Sequence, residues 1–291
     1  MAQAVYNAQS PLGIFPLGKH DSWQFHFFCF ETQQLFSLRL WYSGSVQQAW
    51  AWTTTPDSEP RTILYISNGQ FSQSDSSSTV ARKLIDDGST FRFTELSNES
   101  HAGVLEVDVL GDQKLRIEFT PGSTHFWGVP GQSDGVFHFP DLSAAITYQG
   151  VTLRASGYCK RYFGDYDGPW GYQFIQGIAA NANTSVWTAD ATFGDNEYNY
   201  FKIYDVAGKS LIAADAVDTY HNNLKGFWRP LNGLPNREVE LTEFAKKEFF
   251  LKSAEQHSKL VERFGFWQLK ENGRIIAKGF GFSEKCFGTV G

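Results

Sequence analysis

The sequence predicts an all-β protein made of two antiparallel, barrel-like β domains, and three observations carry that prediction. Aromatic residues are abundant: 26 Phe, 12 Tyr and 9 Trp make up 16% of 291 residues, and these side chains suit a pleated, half-buried surface. Apolar and polar residues alternate with period two along much of the chain. Turn signals rich in Gly, Asn and Asp recur about every 10–13 residues, the spacing of an antiparallel sandwich or barrel.

Taken in order, the first strand runs over residues 23–29. Trp23, Phe25, Phe27 and Cys29 share one face, and Gln24, His26 and Phe28 the other. Both faces are largely apolar, which suits a strand covered on both sides or lining a closed interior. Residues 35–41 follow a short polar turn and complete a hairpin. Further strands are expected over 49–53, 62–67, 91–96, 104–109 and 114–119, the last two joined by a turn at Leu110-Gly-Asp-Gln. Residues 70–79 hold five serines and read as a polar loop.

The second half repeats the style. Strands are expected over 151–163, 172–180, 185–193, 198–205 and 209–212, with turns at Asn181-Ala-Asn, Gly194-Asp-Asn and Ala207-Gly. Residues 241–264 contain Glu-Phe-Ala-Lys-Lys-Glu and read locally as helix, although Val239 and Leu241 alternate like a strand. Asn272-Gly is a type I′ hairpin signal between 266–269 and 274–282. The length allows two modest domains, with a boundary expected near Gln149-Gly150, giving domains 1–150 and 151–291.

Charge and motifs exclude several function classes. Lys and Arg total 25 against 31 Asp and Glu, so the surface is mildly acidic and nucleic acid is not an expected partner. Cys29, Cys159 and Cys286 are far apart and odd in number. They fit buried reduced thiols in a cytoplasmic protein better than a disulfide framework or zinc site. The N-terminus lacks a basic region followed by an apolar stretch. No apolar run approaches the roughly 20 residues that span a bilayer, so no stable membrane insertion is expected. There is no phosphate-binding loop, dinucleotide fingerprint, nucleophile elbow or metal-ligand motif. No cofactor and no metal are expected.

The densest unusual segment is Gly157-Tyr-Cys-Lys-Arg-Tyr-Phe-Gly-Asp-Tyr-Asp-Gly-Pro-Trp-Gly171. Asp165 and Asp167 lie there among Tyr158, Tyr162, Phe163, Tyr166 and Trp170. A carboxyl group in a dry aromatic setting is suited to general acid work. Asp-Tyr-Asp-Gly-Pro is also ordinary turn chemistry. Asp165, Asp167 and Tyr166 are the catalytic candidates. Trp170, Tyr162, Trp23, His138 and Trp127 are the candidates for substrate contact. Trp127 is expected on a long Gly/Pro loop, where it would cap a barrel mouth or cover a core edge, and Trp23 and His138 also fit core roles.

Gly164-Asp-Tyr-Asp-Gly-Pro-Trp-Gly171 resembles the Gly-Tyr-His-Asp-His-Asn-Trp-Gly signature of the carotenoid hydratase family of lipocalin-like proteins. Gly164, Asp167, Trp170 and Gly171 fall on matching positions, and both signature histidines are absent. His20-Asp-Ser-Trp-Gln-Phe is similar to the family's N-terminal acidic-x-Trp-x-aromatic strand. Gly279-Phe-Gly-Phe-Ser-Glu284 is similar to its terminal Gly-x-Gly-x-x-Glu. The resemblance implies two lipocalin-like β-barrel domains with an apolar pocket at or between them. It also implies action without a redox cofactor on an apolar small molecule: a polyketide, a terpenoid or a prenylated aromatic.

The expected function is a cofactor-independent cyclase of specialised metabolism, related to the family's Diels–Alderase-type cyclases. Ring closure is pericyclic, or begins with acid addition to an alkene that an internal hydroxyl captures. The alternatives are a non-catalytic lipid carrier and an olefin hydratase; the missing histidines count against the hydratase.

Overall fold

The computed structural model describes residues 20–290 apart from 45, 77–78, 97–101, 129–134, 165–167, 182, 194–195, 206–209, 215–216, 223, 231–235 and 253–256. The described residues form strands and turns and no helix. In the first half the strands are β1 (His20–Cys29), β2 (Gln34–Ser43), β3 (Val46–Thr54), β4 (Arg61–Ile66), β5 (Gln70–Asp75), β6 (Val80–Asp86), β7 (Ser89–Glu95), β8 (Gly103–Val109), β9 (Asp112–Gly128), β10 (Gly135–Tyr148) and β11 (Val151–Gly164). In the second they are β12 (Gly168–Ala179), β13 (Thr184–Phe193), β14 (Asn196–Asp205), β15 (Ser210–Ala214), β16 (Val217–Asn222), β17 (Lys225–Pro230), β18 (Arg237–Lys252), β19 (His257–Glu271) and β20 (Arg274–Val290).

Each half is one antiparallel sheet. The first has the order β4-β3-β2-β1-β11-β10-β9-β8-β7-β6-β5, and the second β15-β14-β13-β12-β20-β19-β18-β17-β16. Both are up-and-down meanders in which the first strand pairs with the last. Among the described residues each order is open between its fourth and fifth strands. In the first sheet those edges, β4 and β5, are separated by three residues of chain, and the Gly69 N–H, just before β5, bonds the Gln47 carbonyl of β3 at 2.9 Å. In the second, Ala214 and Val217 end the two edge strands, and Thr219 of β16 bonds Asp190 of β13 at 3.3 Å. Chain links this short hold the edges together, so each sheet curls into a barrel-like unit. This is the lipocalin-like, all-β architecture expected from the sequence.

Every residue of β1 is buried, as its two apolar faces require. Its odd positions enter the first core with Phe36, Leu38, Phe91, Phe93, Ile117 and Phe119. The second core gathers Ile175, Phe201, Trp228, Leu241 and Trp267. Tight turns set the register. Asp87-Gly88, Leu110-Gly111, Gln149-Gly150 and Asn272-Gly273 all have positive φ at both positions, which is the type I′ geometry that matches strand twist.

Several sequence expectations differ from the structure. Gln149-Gly150 is one of these hairpin turns, joining β10 to β11 inside the first sheet. The chain divides into two compact units, and the change of sheet falls between Gly164 and Gly168. Residues 70–75 are strand β5, paired with β6, because cross-strand bonding tolerates a serine-rich strand at a sheet edge. The stretch read locally as helix belongs to β18 and β19. Lys246, Glu248 and Lys259 point outward and pair along and across the strands, as in Lys259–Glu248 at 2.7 Å, while Val239 and Leu241 face the core. Period-two burial outweighs helix propensity there. Residues 121–128 extend β9, so Trp127 lies in a strand and not on a loop. Register shifts opposite Asp141 absorb Pro121 and Gly122.

Candidate functional site

Three constellations concentrate buried chemistry, two in the first unit and one in the second. In the first barrel, a charged layer closes one end of the aromatic core. Arg161 grips Asp21 with two hydrogen bonds, Nε to Oδ1 at 3.0 Å and Nη2 to Oδ2 at 2.5 Å. Arg82 pairs with Glu95 at 3.3 Å. All four are buried. The two guanidinium groups lie over Trp23, at 5.2 and 5.5 Å from its ring centre. Burial lowers the Arg82 pKa, opposed by the charge of Glu95. Trp23 is thus an inward core residue. Its Nε1 has no hydrogen-bond partner among the described residues.

The opposite face of the same strands is polar and aromatic, and it is also buried. Cross-strand pairing sets Arg39, Gln24, Lys160 and His138 in one row across β2, β1, β11 and β10. The next row holds His26 and Tyr158, whose rings stack at 5.6 Å, and the His138 ring meets Tyr158 edge-on at 4.6 Å. Burial first, then the charges of Lys160 and Arg39, hold the His26 pKa well below its ordinary value. His26 is therefore a neutral imidazole in a positive field. Tyr162 lies one row along, opposite Ser22 and Val136.

In the second unit, β12 presents Trp170, Tyr172, Phe174 and Gln176 on the face opposite its core. Trp170 and Tyr172 stack at 5.9 Å, and Tyr172 and Phe174 at 6.0 Å. Phe282 continues the aromatic row at 6.1 Å from Phe174, and Phe264 meets Phe282 at 5.2 Å. Two carboxyl groups are set into this surface. Glu284 of β20 stands directly opposite Glu262 of β19, and neither is exposed to solvent. The Tyr172 hydroxyl donates a short hydrogen bond to Glu284 Oε1. Directly opposed side chains sit with Cβ atoms about 4.5–5.5 Å apart, where like charges repel.

The sequence-predicted residues therefore fall in three places. Tyr162 and His138 share one face of the first sheet, Trp23 lies on its other face, and Trp170 begins the aromatic row of the second. Trp127 pairs with Val136 in the backbone ladder, and its side chain lies outside the described residues. So do Asp165, Tyr166 and Asp167. Glu262, Tyr172 and Gln176 were not singled out from the sequence, and Glu284 was noted only as a motif position. A cavity of about 490 Å³ opens at one end of the first barrel beside Arg61, Leu115 and Tyr148, and none of the predicted residues lines it. Among the described residues no three His, Cys, Asp or Glu side chains group as metal ligands.

No family model matches the sequence, and no curated protein does. Solved structures match the fold over nearly the whole chain. CghA, 11% identical, covers 93% of this chain and 88% of its own, with a TM-score of 0.62; it has also been solved with Sch210972. A putative AttH from Nitrosomonas europaea, 12% identical, covers 97% of both chains, with a TM-score of 0.60. Kievitone hydratase from Nectria haematococca, 14% identical, covers 98% of this chain and 93% of its own, with a TM-score of 0.57. At these identities the likeness is one of fold, and it is the fold that the sequence motifs suggested.

Proposed function

We propose that this protein is a cofactor-independent cyclase of specialised metabolism that closes a ring in an apolar polyene or prenylated substrate. One observation carries the reading: a carboxyl pair with a phenol attached, Glu262, Glu284 and Tyr172, embedded in the aromatic row from Trp170 to Phe264. A carboxyl group donates a proton to an alkene. Aromatic faces stabilise the resulting cation, and an internal hydroxyl of the substrate captures it. The same surface also suits a pericyclic closure, in which the rings hold a near-attack shape and a donor such as Tyr172 polarises a carbonyl. Asp165, Tyr166 and Asp167 precede Trp170 in the chain and remain further acid and donor candidates. Tyr162 and His138 are candidates for substrate contact on the first sheet.

Kievitone hydratase shares the fold, and hydration is the second reading. The first step is the same, with water replacing the internal hydroxyl. Incubation with linear precursors of polyketide, terpenoid or prenylated aromatic type separates the two by product mass. An isomer supports cyclisation, and gain of one water supports hydration. Tight binding with no product from any precursor supports a carrier and overturns both.

A further inference from the structure

Gln176 is 1% exposed, yet neither its amide nitrogen nor its amide oxygen has a hydrogen-bond partner among the described residues. Its cross-strand neighbours are Trp187 on β13 and Phe282 on β20, which explains why the amide is unsatisfied. Leaving a buried polar group unpaired costs about 1–3 kcal/mol. An apolar residue of similar size would avoid that cost. Gln176 also shares its face with Tyr172 and Phe174, and it is diagonal to Glu284, which pairs with Phe174. Diagonal neighbours on a sheet face are about 7–8 Å apart.

We propose that Gln176 is a substrate-positioning residue that holds a hydroxyl group, so that the substrate class is a hydroxy-alkene. This rests on the cyclase reading and specifies its nucleophile. The unsatisfied amide calls for one acceptor and one donor together. A hydroxyl supplies both, accepting from Nε2 and donating to Oε1, whereas a carbonyl or bare alkene does not. With the oxygen held there, the alkene lies along the aromatic row towards the carboxyl pair. A carboxyl proton of Glu262–Glu284 adds to one alkene carbon. The hydroxyl oxygen bonds to the cationic carbon, and the hydroxyl proton returns to the carboxylate. One C–O and one C–H bond form, one O–H bond and one C=C π bond are lost, and the product is an isomer.

The test compares farnesol with farnesene, which has a similar polyene chain and no hydroxyl, using tryptophan fluorescence and calorimetry on the full chain. Wild type should bind farnesol roughly tenfold more tightly, the value of one to two net hydrogen bonds. Gln176→Leu should bind the two within about twofold, and should resist denaturant as well as wild type or better, since it removes an unsatisfied group. A residue needed only for structure would instead weaken the fold when replaced. Equal affinity of wild type for both compounds, or a preference for farnesol that survives in Gln176→Leu, overturns the assignment. Cyclisation of a precursor without hydroxyl discrimination overturns Gln176 and leaves ring closure standing. Discrimination without turnover of any precursor overturns ring closure and leaves the hydroxyl site.

Discussion

Glu262 and Glu284 face one another across β19 and β20, fully buried, with Tyr172 donating its hydroxyl hydrogen to Glu284. An acid in this position is shielded from bulk water and surrounded by aromatic faces. If it starts the reaction, Glu284→Gln removes the donated proton and keeps the shape. The expected loss in kcat is roughly 10²–10⁴-fold, with a smaller loss for Tyr172→Phe. Wild type working in D₂O should place one solvent deuterium on a product carbon. Normal turnover by Glu284→Gln together with a deuterium-free product would assign the reaction to the pericyclic route.

The charged layer in the first barrel predicts a second result. Asp21 and Arg161 are both inaccessible to solvent, so removing either takes from the other, still buried, the partner of its two hydrogen bonds. Asp21→Ala or Arg161→Ala should each cost about 3–5 kcal/mol in denaturant unfolding. The paired replacement Asp21→Leu with Arg161→Met should cost less than either single change, because neither buried charge then remains. Additive losses would show that the pair does not act as a unit.

Some of this architecture was legible in the sequence for local reasons. Asn272-Gly273 carries its turn type in its residue types, and β1 shows two apolar faces without reference to any partner strand. The helix-rich composition of 241–264 misleads because propensity is local, whereas burial of Val239 and Leu241 depends on strands elsewhere. Gln149-Gly150 resembles a linker because a type I′ turn and a domain boundary use the same residues. The carboxyl pair was hidden by one residue of register. The turn at 272–273 aligns Glu271 with Arg274 and Lys270 with Ile275, and an unbroken ladder would set Val261 opposite Glu284. A shift between Leu269 and Lys270 brings Glu262 there instead. Such a bulge moves side chains to the other face, and nothing local in the sequence announces it.

Three thiols are expected to be inert in the folded protein. Cys29, Cys159 and Cys286 are all buried. Burial pushes the Cys29 thiol up to about 12 and raises Cys159 well above its ordinary value. The thiolate is the reactive form, so a chromogenic disulfide reagent at mildly alkaline pH should detect no thiol in native protein and three after denaturation. Fast reaction of any cysteine in the native state would contradict this packing.

Acid should weaken the second unit through Glu240. Burial raises the pKa of this carboxyl, but hydrogen bonds from Lys225, Lys270 and Gln268 outweigh it and hold the value at about 2, against an ordinary 4.5. Lys225 Nζ lies 2.8 Å from Oε1, and Lys270 bonds Oε2. A folded-state pKa below the unfolded one means that the unfolded chain takes up the proton first. The stabilisation is therefore complete above about pH 4.5 and is lost as the pH falls towards 2. Lys225 is half exposed, so solvent screening reduces the effect to about 2 kcal/mol. In urea unfolding at a series of pH values, Glu240→Gln should be less stable than wild type at neutral pH. The gap should narrow between pH 4.5 and 2. A gap that stays constant across that range would show that the carboxylate's charge is not what stabilises β17, β18 and β19 at this point.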